Sequence, residues 1–209
     1  MPQSNHNDDM ELSRDYALSV ADWRRSVHSL YSGVRSTEDP QAAHAVWVDG
    51  RARLFANHPA SPRMAGQQLR YAGYDPAFRF VLPLLDAERD SFEVPTGTDG
   101  IVPFTRIGRF DIEGLGSLDA WWLSSYGGGL FIPFRDTTAG SLTYGAGRYL
   151  LDTVKGADLG RVGTDWILDF NFAYNPSCVY DPAWACPLAP AGNRLAAAVP
   201  VGELLPSKD

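Results

Sequence analysis

The chain has 209 residues, of which 44% are hydrophobic and 21% charged, and its net charge is −7. This length is enough for one domain whose core needs no disulfide or metal support. The negative charge argues against nucleic acid as a partner, because binding to a phosphate backbone requires a basic surface.

Residues 1–10 are polar and predict a disordered tail, and residues 11–62 predict a helical segment. Apolar positions recur every three or four residues from about 12 to 34, which is typical of an amphipathic helix. Asp39-Pro40 predicts the start of a second helix, since aspartate caps free N–H groups and proline fits the first turn.

From residue 63 to residue 209 the pattern predicts a β-rich body. Short runs of β-branched and aromatic residues alternate with turn residues, as in an all-β barrel or sandwich. The predicted strands cover residues 78–85, 91–94, 101–112, 117–125, 130–134, 149–154, 166–172 and 195–201. We therefore predict an α+β, mainly β fold: an antiparallel barrel or sandwich with an N-terminal pair of helices packed on it, in a single domain.

The three glycines at residues 127–129 lie between two predicted strands. A dinucleotide-binding turn would lead into a helix, and a P-loop would end in Gly-Lys-Ser/Thr. Neither pattern is present, so we interpret the glycines as a hairpin corner or bulge. The sequence predicts no cofactor.

The two cysteines, Cys178 and Cys186, lie in a proline-rich loop. A structural zinc site needs four ligands, usually in close pairs, and no second pair is present; the sequence predicts no metal site. The alternatives are packing thiols, a disulfide staple, a reactive thiol and a metal ligand, and packing thiols are favoured.

His58 precedes a rigid turn at the end of the second predicted helix. It is the catalytic candidate, because imidazole can exchange a proton near neutral pH. The alternative is a helix cap in which the ring binds free backbone carbonyls.

Six residues are the candidates for ligand binding: Arg135, Arg148, Tyr149, Lys155, Asn171 and Tyr174. Arginine presents a planar fork that matches carboxylate or phosphate, and Arg148 follows the glycine-rich run at residues 145–147. Ion pairing with nearby aspartates at strand ends is an equal alternative for the charged members. We expect the tyrosines and Asn171 to orient a substrate at a pocket mouth.

The N-terminus lacks the apolar run of a secretory signal, and no segment approaches the roughly 18 apolar residues of a membrane span. We therefore expect a cytoplasmic protein with no membrane partner. Its partner is expected to be a small-molecule ligand, which would be anionic if the arginines recognise it. The oligomeric state is open.

The chain resembles the family called domain of unknown function 1684. The resemblance rests on long literal strings at residues 126–136 (YGGGLFIPFRD), 147–158 (GRYLLDTVKGAD) and 169–178 (DFNFAYNPSC), and it extends over most of residues 20–203. It implies no established reaction, and its members include cytoplasmic actinobacterial proteins. The resemblance leads us to expect an aromatic-proline pair where this chain has Ala72-Gly73. The smaller residues would remove bulk beside a pocket, which would suit recruitment of the protein to a different ligand in specialised metabolism.

Three hypotheses follow. The first is a small-molecule enzyme with a pocket at one end of a β-barrel, and the second is a binding module that uses the same pocket without catalysis. The third is a partner-binding protein, which would require Trp23, Tyr31 and Trp47 to lie on an exposed helix face.

Overall fold

The structure is a computed structural model, and it describes residues 13–95, 100–184 and 186–208. The tail predicted over residues 1–10 lies outside this range. Helix α1 spans Arg14–Arg35 and helix α2 spans Pro40–Asn57. The predicted cap of α2 is confirmed, since the Asp39 carboxylate accepts a hydrogen bond of 2.7 Å from the backbone N–H of Ala42.

The two helices pack closely against each other. Gly50 allows this approach, because a Cβ at that position would collide with the side chain of Leu30 on α1. The indole of Trp47 donates a hydrogen bond of 3.1 Å to the hydroxyl of Tyr31, and both side chains are buried. The pair packs on Ala157 and Phe172 of the β-rich part of the chain, in one apolar cluster.

The strands form three antiparallel sheets in the part of the chain that the structure describes. They are β1 (Gln67–Gln68), β2 (Arg79–Leu82), β3 (Ser91–Pro95), β4 (Ile101–Ile112), β5 (Gly116–Leu123), β6 (Gly129–Phe134), β7 (Arg148–Asp152), β8 (Arg161–Val162), β9 (Asp165–Asp169) and β10 (Ser207–Lys208). The spatial orders are β3-β4-β5-β6-β7, β2-β9-β8 and β1-β10. Together with the helices they make a mainly β, α+β fold.

One face of the five-stranded sheet packs against the three-stranded sheet and forms the main core. Leu118 and Ile132 come from the larger sheet and Leu168 from the smaller one. A register shift in β4 between Arg106 and Gly108 reverses which face its side chains take, as a β-bulge does. Phe110 therefore lies in the core, whereas Phe104 lies on the opposite face with Trp121 and Phe131.

The predicted barrel is not confirmed. Single bridges join the two larger sheets at Leu85 with Arg109 and at Tyr149 with Tyr174, but no ladder closes them within the described residues. The strand predicted over residues 195–201 is wrong. That segment is irregular, and its carbonyls at Val199 and Val201 accept hydrogen bonds from the side chain of Arg148 instead of from a neighbouring strand.

Candidate functional site

A cavity of about 380 Å³ lies between the helices and the outer face of the five-stranded sheet. Helix α1 contributes Trp23 and Tyr31, and α2 contributes Arg51 and Phe55. The sheet contributes the side chains that point away from the core, and the segment after β9 supplies the remaining wall. This volume falls in the range of small-molecule sites.

Aromatic side chains form much of the cavity wall. Phe131 and Tyr149 meet edge to face with their ring centres 4.8 Å apart, and Tyr149 meets Tyr174 in the same way at 5.6 Å. The aromatic residues lining the cavity are Trp23, Tyr31, Phe55, Phe104, Tyr126, Phe131, Tyr149, Tyr174 and Trp184. Such a wall suits a ligand with an apolar or planar body.

Arg51 is the cationic group at the junction of α2 and the C-terminal segment. Its Nε and Nη2 donate to Oε2 of Glu203 at 3.2 and 2.9 Å, and the carboxylate is fully buried. The guanidinium carbon lies 4.4 Å from the ring centre of Phe55 and 4.9 Å from that of Tyr174. Burial is the largest single influence and lowers the pKa of Arg51, but Glu203 together with three neighbouring tyrosines outweighs it and raises the pKa, so the group stays charged.

Two tyrosine hydroxyls meet the cavity in their neutral form. Burial raises the pKa of Tyr31 and of Tyr174 well above the usual value. The Tyr31 hydroxyl accepts from Trp47, which leaves its proton available. Tyr174 makes no hydrogen bond through its hydroxyl to any residue that the structure describes, so both groups can donate to a ligand.

The charged residues lining the cavity are Arg24, Arg51, Lys155 and Asp152. Lys155 Nζ is 3.8 Å from Oδ2 of Asp152, and Arg24 is exposed at the rim. Glu203 neutralises Arg51 and Asp152 pairs with Lys155, so the charge that remains at the cavity is the positive one of Arg24 at the rim. This charge favours an anionic group over a cationic one.

The two cysteines are free. Cys186 lines the cavity, whereas Cys178 does not. Interaction with the side chain of Cys178 is the main cause that lowers the pKa of Cys186; the backbone of Cys178, the charge of Lys155 and the backbone of Ser177 act in the same direction, against burial. The pKa of Cys178 is raised.

The profile of the family described as "Protein of unknown function (DUF1684)" matches residues 66–204. The chain belongs to this family. The match is shorter than the resemblance found by reading the sequence, because it begins after both helices. The family region therefore supplies the sheet side of the cavity with Tyr149, Tyr174 and Cys186, whereas α1 and α2 supply a wall outside the matched residues.

Among solved structures, the chain is similar to the solution NMR structure of an uncharacterized protein from Haloarcula marismortui. The two are 32% identical, the alignment covers 75% of this chain and 89% of that protein, and the TM-score is 0.54. A search of the curated proteins found no match.

Three of the six predicted ligand-binding residues line the cavity: Tyr149, Lys155 and Tyr174. The hydroxyl of Tyr149 donates a hydrogen bond of 2.7 Å to the carbonyl of Pro187, so it is already engaged. Lys155 is half exposed and reaches the rim. The structure thus brings these three family positions together at one site.

Arg148 does not line the cavity, and its placement corrects the prediction that it recognises an anion. The side chain is buried, and its guanidinium donates to the carbonyls of Val199, Val201 and Glu203 and to Asp136. Burial lowers the pKa of Arg148 to about 10, which still leaves it charged at neutral pH. Arg148 ties the C-terminal segment to the sheet.

The other two predicted binding residues also lie away from the cavity. Arg135 is exposed, and its backbone bonds to Asn193 and Leu195. Asn171 is fully buried, where its amide accepts from the N–H of Asp75 and donates to the Asp75 carbonyl. The amide also donates to the Asp169 carboxylate at 2.8 Å. These three contacts hold a loop in place and leave no polar group for a ligand.

His58 is next to the cavity wall without lining it. Its Nδ1 accepts from the N–H of Ala60 at 3.0 Å, its Nε2 is 3.4 Å from a carboxylate oxygen of Asp22, and its ring meets Trp23 edge to face. The imidazole therefore joins α1 to the end of α2, and this placement does not support the predicted catalytic role. It does not bind helix-end carbonyls either.

Several other expectations find no support in the geometry. Ala72 and Gly73 are not among the residues that line the cavity. Tyr31 and Trp47 are buried, so the helix face that a protein partner would need is covered. Within the described ranges no three metal-ligating side chains come together, and neither helix has the length and apolarity to cross a membrane.

Arg51 and Tyr31 were missed as site residues by sequence reasoning. Arg51 occupies an ordinary helical position, and its partner Glu203 is 152 residues away in the chain. Sequence reasoning considered Tyr31 only for a helix face, apolar or partner-binding. Neither residue could be assigned to a site from the sequence without knowing which strand the helices cover.

Proposed function

We propose that the protein binds a small, largely apolar molecule with an anionic or hydrogen-bond-accepting group in the cavity between the helices and the sheet. Arg51 carries this proposal. Glu203 binds Nε and Nη2 of its guanidinium, which would leave Nη1 to meet the ligand's acceptor. The hydroxyls of Tyr31 and Tyr174 supply two further donors on either side.

The aromatic wall would hold the body of the ligand, and Arg24 and Lys155 at the rim would attract its charge during entry. An enzyme that processes this ligand is the second candidate function, and the thiol of Cys186 in the cavity wall favours it. The cytoplasmic location, the actinobacterial origin and a role in specialised metabolism stay predictions.

The test uses 8-anilinonaphthalene-1-sulfonate, which combines an aromatic body with a sulfonate. We expect saturable binding to the native protein. Ala60→Phe should weaken it at least about tenfold because Ala60 lines the cavity, whereas Ala56→Phe, at an exposed position of α2, should leave it unchanged. Equal affinity for both variants would refute a site in this cavity.

A second pair of variants tests the anchor. Arg51→Lys keeps a positive charge near Glu203 but loses the planar fork, so probe affinity should fall about tenfold. Arg53→Lys alters an exposed arginine on the same helix that pairs with Asp49, and it should have no effect. An unchanged affinity in Arg51→Lys would remove Arg51 from the site.

A further inference from the structure

We propose that the ligand of the cavity carries a neutral hydrogen-bond donor, an O–H or an N–H, and that the carboxylate of Asp152 accepts from it. This inference rests on the proposed function, because it concerns the same cavity. Asp152 is then a second specificity-determining residue beside Arg51. The ligand class narrows to apolar molecules that bear a hydroxyl or an amide group.

A β-bulge turns Asp152 towards the cavity. The register of the ladder between β6 and β7 shifts after Ile132, so β7 has one more residue there than its partner strand. Leu150 and Leu151 consequently both lie in the main core, whereas Tyr149 and Asp152 both line the cavity. Strict alternation would have placed Asp152 on the same face as Leu150. Bulges of this kind redirect a side chain next to a functional site.

The carboxylate of Asp152 is buried, but only one of its oxygens is fully engaged. Its side chain is 8% exposed, and Oδ1 accepts a hydrogen bond of 3.2 Å from the backbone N–H of Lys155. Oδ2 accepts no hydrogen bond from any residue that the structure describes. Its ion-pair partner, Nζ of Lys155, is 3.8 Å away on a side chain that is 56% exposed. Because such a solvated pair is weak, Oδ2 has the capacity to accept from a ligand.

Two hydroxyl groups of the cavity wall lie at the same end as this carboxylate. Both backbone groups of Asp152 bond to those of Ala157, at 3.0 and 2.9 Å, and Ala157 packs with Tyr31 and Tyr174 around one apolar cluster. Burial is the main cause that raises the pKa of both tyrosines, and the charge of Asp152 acts in the same direction. A hydroxyl of the ligand can therefore donate to the carboxylate and accept from a tyrosine.

The charges around Asp152 favour a neutral donor over a cationic one. Lys155 already supplies a positive charge to this carboxylate, and Arg24 adds another at the rim. The charge of Arg51 is held by Glu203. An ammonium group on the ligand would meet these cations, whereas a hydroxyl or an amide donates a hydrogen bond without adding charge.

A ligand without a donor is disfavoured at Asp152. It would exclude water from the carboxylate and offer no hydrogen bond in exchange, so it would leave a charged oxygen unsatisfied. A site that hydrogen-bonds a hydroxyl rejects the analogue without it more strongly than an apolar pocket rejects a ligand with one methylene less. The affinity for matched ligands with and without a donor is therefore the sensitive measurement.

Two matched probes make this measurement on the full chain. 2-Naphthol carries a hydroxyl, and 2-methoxynaphthalene has the same rings with a methyl ether in its place. Apolar burial alone would make the ether bind more tightly, because its additional methyl group buries more surface. We expect the opposite order, with naphthol binding at least about tenfold more tightly in equilibrium dialysis at neutral pH. Equal affinities, or tighter binding of the ether, would overturn the inference.

Asp152→Asn assigns the preference to this side chain. The amide keeps an oxygen for the N–H of Lys155 but replaces Oδ2 with an NH2 donor, which suits the oxygen of either probe. The preference for naphthol should therefore disappear. Asp158→Asn is the matched control, because Asp158 also accepts from a backbone N–H, that of Gly160 at 2.8 Å, but does not line the cavity. It should keep the preference; loss in both variants, or in neither, would overturn the role of Asp152.

The failures of the two proposals can be told apart. If 8-anilinonaphthalene-1-sulfonate binds and Ala60→Phe weakens it, but the native protein does not prefer naphthol to its ether, the inference is overturned and the binding proposal stands. If neither probe binds, both fail. A 2-naphthylmethylammonium ion that binds more tightly than naphthol would show that Asp152 selects a cation, which also overturns the inference. The comparison in the native protein decides even where Asp152→Asn does not fold.

Discussion

Arg51 of α2 and Glu203 of the C-terminal segment form an ion pair, with Nη2 of Arg51 2.9 Å from Oε2 of Glu203. The same carboxylate accepts from the backbone N–H of Asn175 at 2.8 Å and from the hydroxyl of Tyr180. One buried side chain therefore holds three separate parts of the chain together, and it orients the cationic group of the cavity.

Removing one partner of the Arg51–Glu203 pair should lower the free energy of unfolding more than neutralising both partners. Arg51→Met leaves the Glu203 carboxylate buried without its cation, and we expect a loss of about 3–5 kcal/mol in the free energy of unfolding. The double variant Arg51→Met with Glu203→Gln should be more stable than Arg51→Met alone. Urea unfolding measures both; a double variant whose loss is the sum of the two single losses would contradict the pairing.

Arg148 should be essential for stability, whereas Arg135 should not. Arg148→Lys shortens the reach of a buried side chain that serves three carbonyls and one carboxylate, and it leaves some of these acceptors unsatisfied. We expect a loss of about 2–4 kcal/mol from urea unfolding. Arg135→Lys, at an exposed position, should change stability by less than about 0.5 kcal/mol. Equal effects would show that Arg148 is not a structural clamp.

Gly147 and Gly145 should differ sharply in their tolerance of alanine. Gly147 has φ near +100°, and a Cβ there would overlap the carbonyl oxygen of Phe134. We expect Gly147→Ala to destabilise the protein by about 2–4 kcal/mol. At Gly145 the nearest atom would be 3.6 Å away, so Gly145→Ala should cost less than about 1 kcal/mol. The thermal unfolding midpoints of the two variants measure this difference, and equal midpoints would contradict the prediction.

His44 should make stability depend on pH. It is buried among aromatic rings, its Nε2 has no partner within the described residues, and burial lowers its pKa below the usual value. Protonation therefore favours the unfolded chain. The contribution of His44 to the free energy of unfolding is fully present above about pH 6.5, the pKa of the unfolded residue. It is lost as the pH falls towards the lower pKa of the folded state.

The measurement is the free energy of unfolding between pH 8 and pH 5 in urea. His44→Leu should flatten the curve below about pH 6.5, because it removes a group that binds a proton more readily in the unfolded state. His28→Gln, at an exposed position of α1, serves as the control and should keep the natural slope. An unchanged slope in His44→Leu would assign the pH dependence to other groups.

The elements that sequence reasoning predicted well are those with local causes. The start of α2 was predicted from Asp39-Pro40, and β4 was predicted over the same residues that the structure assigns, Ile101–Ile112. Capping, alternation and turn residues act over a few positions, so they can be read from the chain. The apolar run at residues 195–201 misled this reasoning because its burial comes from a side chain, Arg148, and not from strand pairing.

The candidate site was predicted only in part. Tyr149, Lys155 and Tyr174 line the cavity: Tyr149 lies on β7, Lys155 is in the turn that follows it, and Tyr174 forms a single bridge with Tyr149. Arg51, Tyr31 and Cys186 were not assigned to a site. Each depends on the way in which the helices and the proline-rich loop pack against the sheet, and this packing leaves no periodic signal in the chain.

By itself, the sequence determined the helices, most of the strands, the family and the chemical types available for a site. Only the tertiary structure decided which arginine meets the cavity. Arg148 follows a glycine-rich run and Arg51 lies in an ordinary helix, yet Arg148 is engaged by three carbonyls of the C-terminal segment while Arg51 lines the cavity. The reason is that a guanidinium takes its role from the acceptors that long-range packing places around it, and Glu203, 152 residues from Arg51, is one of them.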